Sequence, residues 1–177
     1  MGSERTLLSG EGITEKVNEL AAQIRKNCGN EVPAFVGVYT RGVTLAKRVK
    51  QALQDEWPEI ALGTLDVSLY RDDLDALESA PKLESSDIPF GVDGTRVILF
   101  DEVMYTGRTT RAALDVLMDY GRPSRVELAV LVDRGNRELP LQPDYVGLKV
   151  DTEAGDYVAV RFAEDDDREG VFLREER

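Results

Sequence analysis

Val97-Ile98-Leu99-Phe100-Asp101-Glu102-Val103-Met104-Tyr105-Thr106-Gly107-Arg108-Thr109 carries both the fold and the chemistry of this chain. Four consecutive apolar residues read as a strand buried on both faces, the kind found inside a parallel sheet. Two acids, Asp101 and Glu102, follow where that strand would emerge. Ionised carboxylates accept hydrogen bonds from sugar hydroxyls and bind hard cations. Thr106-Gly107-Arg108-Thr109 then opens a helix whose apolar stripe runs through Ala112, Ala113, Val116, Leu117 and Tyr120, with Gly121 and Pro123 as its stop. Unsatisfied N–H groups, the positive end of the helix dipole and two hydroxyls together suit a phosphate. Carboxylates and a phosphate cradle this close together match the two ends of a ribose 5-phosphate.

Outward from this stretch the same alternation repeats. Ile13, Val17, Leu20, Ala21 and Ile24 recur at helical spacing behind Thr14 as a cap, and Cys28-Gly29-Asn30 supplies the stop. Ala34 to Tyr39 is a second continuous apolar run. The turn Thr40-Arg41-Gly42 follows it, and then a helix through Leu45, Val49, Leu53 and Trp57 that Pro58 ends. Leu62 to Tyr70 and Val126 to Val132 read as strands, with short β segments near Tyr145 to Val150, Tyr157 to Phe162 and Gly170 to Leu173. Apolar strands alternating with helices predict an α/β fold, a mainly parallel central sheet flanked by helices with a small β-rich C-terminal part. No repeat or linker interrupts it, so residues 1–177 read as a single domain. Ligands collect beyond the C-terminal ends of such strands, so the loops after Tyr39, Tyr70, Phe100 and Val132 should share one site. Between Arg71 and Phe90 neither period holds, which marks a lid at about 71–90. Glu164-Asp165-Asp166-Asp167 reads as a solvated turn between two late strands.

Composition narrows the chemistry. The 177 residues, 42% hydrophobic and 32% charged, suit one globular domain. There is no histidine and Cys28 is the one cysteine. A Ser-His-Asp triad, a Cys-His pair, a His-ligated metal, an internal disulfide and a Cys-rich zinc site are all excluded. Catalysis must run on carboxylates, hydroxyls, Lys, Arg and backbone groups. No apolar run approaches the ~20 residues of a membrane span and no signal peptide is evident, which predicts a cytoplasmic protein without a membrane partner. Twenty-two Lys and Arg against 34 Asp and Glu give a net charge of −12, which argues against broad affinity for nucleic acid and leaves only a local basic patch. Four apolar residues before Asp-Glu also fit a Walker B strand, but the chain has no G-x-x-x-x-G-K-[ST] phosphate loop.

The apolar strand, two acids, two spacers and Thr-Gly loop resemble the phosphoribosyl diphosphate signature of type I phosphoribosyltransferases. Within that family the chain is most similar to the pyrimidine operon regulators that are also uracil phosphoribosyltransferases. The narrower likeness rests on Thr40-Arg41-Gly42, Leu69-Tyr70-Arg71-Asp72-Asp73-Leu74, Tyr105-Thr106-Gly107-Arg108-Thr109 and Gly121-Arg122-Pro123. Leu131-Val132-Asp133-Arg134-Gly135, Arg137-Glu138-Leu139-Pro140 and Asp144-Tyr145-Val146-Gly147 continue the series. The resemblance implies that Asp101 and Glu102 hold the ribose hydroxyls and that Tyr105, Thr106, Gly107, Arg108 and Thr109 surround the 5-phosphate. It implies Thr40, Arg41 and Gly42 as the pyrophosphate loop, a lid from Arg71, and Val132, Asp133 and Arg134 at the pyrimidine. Asp101, Glu102, Arg41 and Arg71 are then the catalytic set. Mg2+ is expected as cofactor, held mainly through substrate with Asp101 and Glu102 nearby and no direct protein site. Three departures stand out: Glu102 where the family usually has Asp, Asn136 where it usually has His, and Val150-Asp151-Thr152-Glu153 in place of a Pro-Thr-Ser element.

The implied reaction joins uracil to 5-phosphoribosyl 1-diphosphate, giving UMP and pyrophosphate, and the resemblance also implies a homodimer or higher homo-oligomer. Two alternatives use the same pocket: an attenuation regulator that binds RNA in response to UMP, and a sugar-phosphate sensor without turnover. Glu15, Lys16, Asn18, Glu19, Ala22 and Gln23 make the first helix nearly neutral, so RNA binding is expected to be weak or absent.

Overall fold

The computed structural model describes residues 4–72 and 84–176. In chain order the elements are β1 (Glu4–Leu8), α1 (Gly10–Cys28), β2 (Ala34–Val38), α2 (Arg41–Ala52), β3 (Leu62–Leu65), β4 (Arg96–Met104), α3 (Arg108–Met118), β5 (Arg125–Asp133), β6 (Tyr145–Lys149), β7 (Tyr157–Arg161) and β8 (Gly170–Arg174). A five-stranded parallel sheet runs in the order β3-β2-β4-β5-β6, and a separate antiparallel sheet runs β1-β8-β7. The α/β architecture with its small C-terminal β part is therefore as the sequence predicts.

Strand order places the site. After β2 the chain moves outward to β3 and then returns to the other side of β2 as β4, so the order reverses between β2 and β4. A crevice opens at such a reversal, beyond the C-terminal strand ends. Both sheet faces are covered by apolar clusters. One joins α1 and α2 to Phe35, Ile98, Phe100 and Leu131, and the other joins α3, through Ala113, Val116 and Leu117, to Val36, Leu99 and Val130. The start of α2 packs down onto β4 because Gly42 has no side chain: a Cβ there would collide with the Phe100 carbonyl oxygen.

Several boundaries differ from the expectation, each for a local reason. The cap of α1 is Ser9, whose Oγ accepts from Gly12 N–H at 3.2 Å; Thr14 lies inside the helix and donates to the Gly10 carbonyl. Helix α2 ends at Ala52, yet Leu53 and Trp57 remain buried in the turns beyond, which is why the apolar period seemed to continue. Strand β3 stops at Leu65 because Asp66 folds the chain back, accepting from Ser68 N–H at 2.9 Å and from Glu84 N–H at 2.5 Å. Strand β1 was not expected. Of the proposed lid, residues 73–83 lie outside the described residues. Residues 84–90 are anchored, since Asp87 and Thr64 exchange two backbone hydrogen bonds of 2.8 Å and Ser86 Oγ receives Asp66 N–H.

At the end of the sheet away from the crevice, Arg96 and Glu127 form a buried bidentate pair of 2.7 and 2.9 Å. Glu127 Oε1 also accepts from Asn27 Nδ2 and from the Tyr145 hydroxyl, both at 3.0 Å, which ties α1 and β6 into the pair.

Candidate active site

Asp101 closes the run of six consecutive buried residues that begins β4. Its carboxylate accepts the Glu102 N–H at 2.9 Å and is otherwise desolvated. Burial, reinforced by the neighbouring Glu102 charge, holds its pKa well above the usual carboxylate range, with the Arg71 charge pulling weakly the other way. From there the chain enters a cleft of about 400 Å³ lined by Arg71, Asp101, Tyr105, Thr106, Gly107, Arg108, Thr109 and Glu138. Gly107 caps α3 at φ 96°, a conformation that L side chains rarely adopt. The Thr106 carbonyl accepts from Glu138 N–H at 2.9 Å and Leu139 N–H at 3.0 Å, so a segment after β5 braces the loop from outside.

A larger cleft of about 970 Å³ adjoins it across Val103 and Tyr105, and brings in Arg41, Glu102 and Arg134 together with β7 and Asp166. The expected residues thus fall into two connected spaces: Arg71, Asp101 and the 105–109 loop in one, Arg41, Glu102 and Arg134 in the other. Thr40, Gly42, Val132 and Asp133 line neither. Thr40 precedes α2 across a cis peptide from Tyr39, and Gly42 is pressed on β4. The Val132 side chain is fully buried in the core, because its position in β5 points inward. Asp133 is bound to Arg137 at 2.7 Å and to Gly135 N–H at 3.0 Å; burial alone would raise its pKa, but these partners lower it.

The arginines are held by acids. Arg108 meets Glu138 at 2.8 Å and Asp72 at 2.6 Å. Arg41 makes a bidentate contact with Asp166, through Nε at 3.0 Å and Nη2 at 2.5 Å. The acidic run 164–167 is an exposed turn between β7 and β8, as expected, but three of its acids also have partners along α2: besides Asp166 on Arg41, Asp165 accepts from the Thr44 hydroxyl at 2.5 Å and Glu164 from Arg48 at 2.6 and 2.9 Å. Two half-buried arginines and a threonine hydroxyl on α2 supply the partners that a linear reading of the acids cannot see. Sequence reasoning also left Glu138 and β7 without a role, although Arg137-Glu138-Leu139-Pro140 was in view. No helix among the described residues is long and apolar enough to cross a membrane.

The chain matches the phosphoribosyl transferase domain over residues 3–166. It is 45% identical over 171 residues to a protein named Bifunctional protein PyrR from Pelotomaculum thermopropionicum, covering 96% of this chain and 94% of that one. Proteins of the same name from Alkaliphilus metalliredigens and Deinococcus radiodurans are 47% and 45% identical over 98% and 95% of this chain, and 96% and 93% of theirs. Among solved structures, a hypoxanthine-guanine phosphoribosyltransferase from Bacillus anthracis superposes with a TM-score of 0.74 at 20% identity over 99% of both chains. A hypoxanthine phosphoribosyltransferase from Staphylococcus aureus superposes at 0.67 with 19% identity, covering 87% of this chain and 80% of that one. At such identities the superpositions speak for the fold, while the sequence matches speak for kinship. The chain belongs to the type I phosphoribosyltransferase family, among relatives named PyrR.

Proposed function

We propose that the protein is a uracil phosphoribosyltransferase, forming UMP and pyrophosphate from uracil and 5-phosphoribosyl 1-diphosphate. The observation that carries this reading is the placement of a buried Asp101 beside Glu102 immediately before the Gly107-capped start of α3. That spacing offers ribose hydroxyls and a 5-phosphate their partners at once. Asp101 and Glu102 accept hydrogen bonds from the two ribose hydroxyls, and the Thr106 and Thr109 hydroxyls with the backbone of the α3 start hold the phosphate. Bond breaking at C1 leaves positive charge on the sugar and a departing polyanion, so Arg41 and Arg71, preorganised at the two clefts, stabilise the leaving group. Arg134 and Asp133 at the end of β5 lie on the side where the pyrimidine enters. Closure of the segment after Arg71 would exclude water from the cation-like sugar.

The described residues contain no group of three or more metal-ligating side chains. Two adjacent carboxylates are hard oxygen donors too few to cage an ion, which fits Mg2+ that keeps water and substrate oxygens in its shell. Asp101 and Glu102 would lie nearest the bound Mg2+, whose charge would offset that of the departing diphosphate. UMP formation from uracil and 5-phosphoribosyl 1-diphosphate, run beside cytosine, hypoxanthine and guanine, tests the reading. UMP as the main product is expected; a purine nucleotide instead, or no turnover with any base, rejects it.

RNA binding is a second reading, supported by the word bifunctional in the relatives' names. It stands second because the chain carries −12 and Arg41, Arg48, Arg96 and Arg108 are each neutralised by acids. Titration with a hairpin from a pyrimidine operon leader, with and without UMP at two salt concentrations, separates the readings. Tight, UMP-enhanced and sequence-selective binding would place regulation first.

A further inference from the structure

We propose that Asp166 is a positioning residue that fixes the Arg41 guanidinium for the diphosphate end of the substrate. The inference rests on the proposed reading in which Arg41 meets that diphosphate. A guanidinium carries five N–H bonds in a rigid plane. The contact with Asp166 uses Nε and Nη2 in parallel and leaves the opposite edge of the plane unengaged by this carboxylate. Both line the larger cleft, Arg41 with 35% of its side chain exposed and Asp166, the more enclosed of the two, with 13%. Asp166 is itself anchored, because its Oδ2 accepts the Phe162 N–H at 3.0 Å and its own N–H reaches the Phe162 carbonyl at 2.8 Å.

The turn that carries Asp166 cannot swing as a latch. Arg41, Thr44 and Arg48 lie on one face of α2, at helical spacing. They receive Asp166, Asp165 and Glu164 in order, with Glu169 closing on Arg48 at 2.5 Å. The Arg48 guanidinium also lies over the Phe162 ring at 4.8 Å. The β7–β8 connection is thereby fixed to α2 along two turns, and its acid orients the arginine rather than covering it.

The opposing possibility, simple neutralisation of Arg41, predicts an effect of opposite sign. A carboxylate that only cancels positive charge weakens anion binding, so its removal should tighten the complex. A carboxylate that orients the guanidinium must be kept for tight binding, and displacing it should matter even when charge is preserved. Asp166→Asn and Asp166→Glu in the full chain separate the two. Expected is a rise of about tenfold in KM for 5-phosphoribosyl 1-diphosphate and in Kd for inorganic pyrophosphate with Mg2+ in both variants. KM for uracil should stay within about twofold in the same variants. Glu164→Gln, which loosens the same turn at Arg48, should lower Tm without separating the two KM values. Tighter or unchanged pyrophosphate binding in Asp166→Asn, or wild-type kinetics in Asp166→Glu, overturns the proposal. If Asp166→Asn does not fold, Asp166→Glu alone decides. Calorimetry with pyrophosphate needs no turnover, so a wild-type protein inactive with uracil rejects the proposed reaction and still leaves this test standing.

Discussion

The guanidinium carbon of Arg134 sits 3.9 Å from the centroid of the Tyr105 ring, stacking the end of β5 on the Tyr105-Thr106-Gly107 loop that follows β4. Arg134 is 4% exposed and donates to Thr152 Oγ1 and to the Glu153 carbonyl, each at 3.2 Å. Asn136, the one non-glycine residue at positive φ among those described, donates its side-chain amide to the Thr152 carbonyl at 2.9 Å. Two departures from the family pattern, Asn136 and the 150–153 segment, thus meet each other beside Arg134.

Replacement of Arg134 by Lys keeps the charge but loses the plane that stacks and the fork that reaches Thr152 and Glu153. A desolvated cation over an aromatic ring contributes about 1–2 kcal/mol, so Arg134→Lys should lower Tm by several degrees and raise KM for uracil more than KM for the sugar diphosphate. Tyr105→Phe removes only the 3.3 Å contact to the Ala154 carbonyl and should leave both nearly unchanged. Thermal melts and two-substrate kinetics of both variants check the pair of outcomes.

Asp101 should oppose stability while serving turnover. Its pKa is raised in the folded protein by burial and by Glu102, so folding is favoured below the ordinary carboxylate pKa and loses this contribution as pH rises through the shifted value. Asp101→Asn should therefore melt higher than wild type at neutral pH, by roughly 2–4 °C, and the difference should vanish in acid. Turnover should fall by two orders of magnitude or more, on the order expected for a lost transition-state contact. A Tm gap independent of pH would show that Asp101 titrates normally.

Gly107 and Gly94 both adopt positive φ, at 96° and 69°, but a Cβ on Gly107 would come 3.3 Å from the Leu139 side chain, whereas Gly94 has open space. Gly94→Ala should cost about 1 kcal/mol of backbone strain and leave substrate binding intact. Gly107→Ala should cost at least as much and also weaken binding of the sugar diphosphate, measured by calorimetry beside denaturant unfolding. Equal binding in the two variants would remove Gly107 from the phosphate site.

Breaking the Arg96–Glu127 pair should be purely structural. Both side chains are 6% exposed, and Glu127→Ala leaves a buried guanidinium with only Glu31 at 3.2 Å. A loss of about 3–5 kcal/mol in urea unfolding is expected, with KM values unchanged. Burial raises the Glu127 pKa, but Arg96 and the Tyr145 hydroxyl outweigh it and lower the net value, so the pair's contribution holds at neutral pH and is lost as the medium becomes acidic.

What could be read in advance was whatever depends on near neighbours. The Val97–Phe100 run, the Thr-Gly loop and the apolar stripe of α3 lie within about two dozen residues, and their periods alone specify strand, loop and helix. Asp66 shows a local signal that was overlooked: an Asx turn ends β3 where apolar alternation through Val67 and Leu69 suggested more strand. By contrast, Glu4–Leu8 has three exposed residues of five and becomes a strand only by pairing with β8. The acids at 164–166 acquire partners on a helix more than a hundred residues earlier. Such pairings exist in the tertiary arrangement and leave no trace in spacing. Arg41 was legible as a loop arginine, while its carboxylate partner was not.

Pairing of β1 with β8 sets a condition on the order of assembly. Glu4 lies opposite Arg174 in the register, 170 positions away along the chain. During synthesis the first strand must wait, edge unpaired, until residues 170–174 have left the ribosome, since long-range pairing cannot precede its partner. The parallel sheet and the Gly107 loop have all their strands by residue 149, but the turn at 164–169 that seats on α2 arrives later. A nascent chain can thus complete the cleft around the start of α3 before Asp166 exists to hold Arg41, so the two clefts are finished one after the other rather than together.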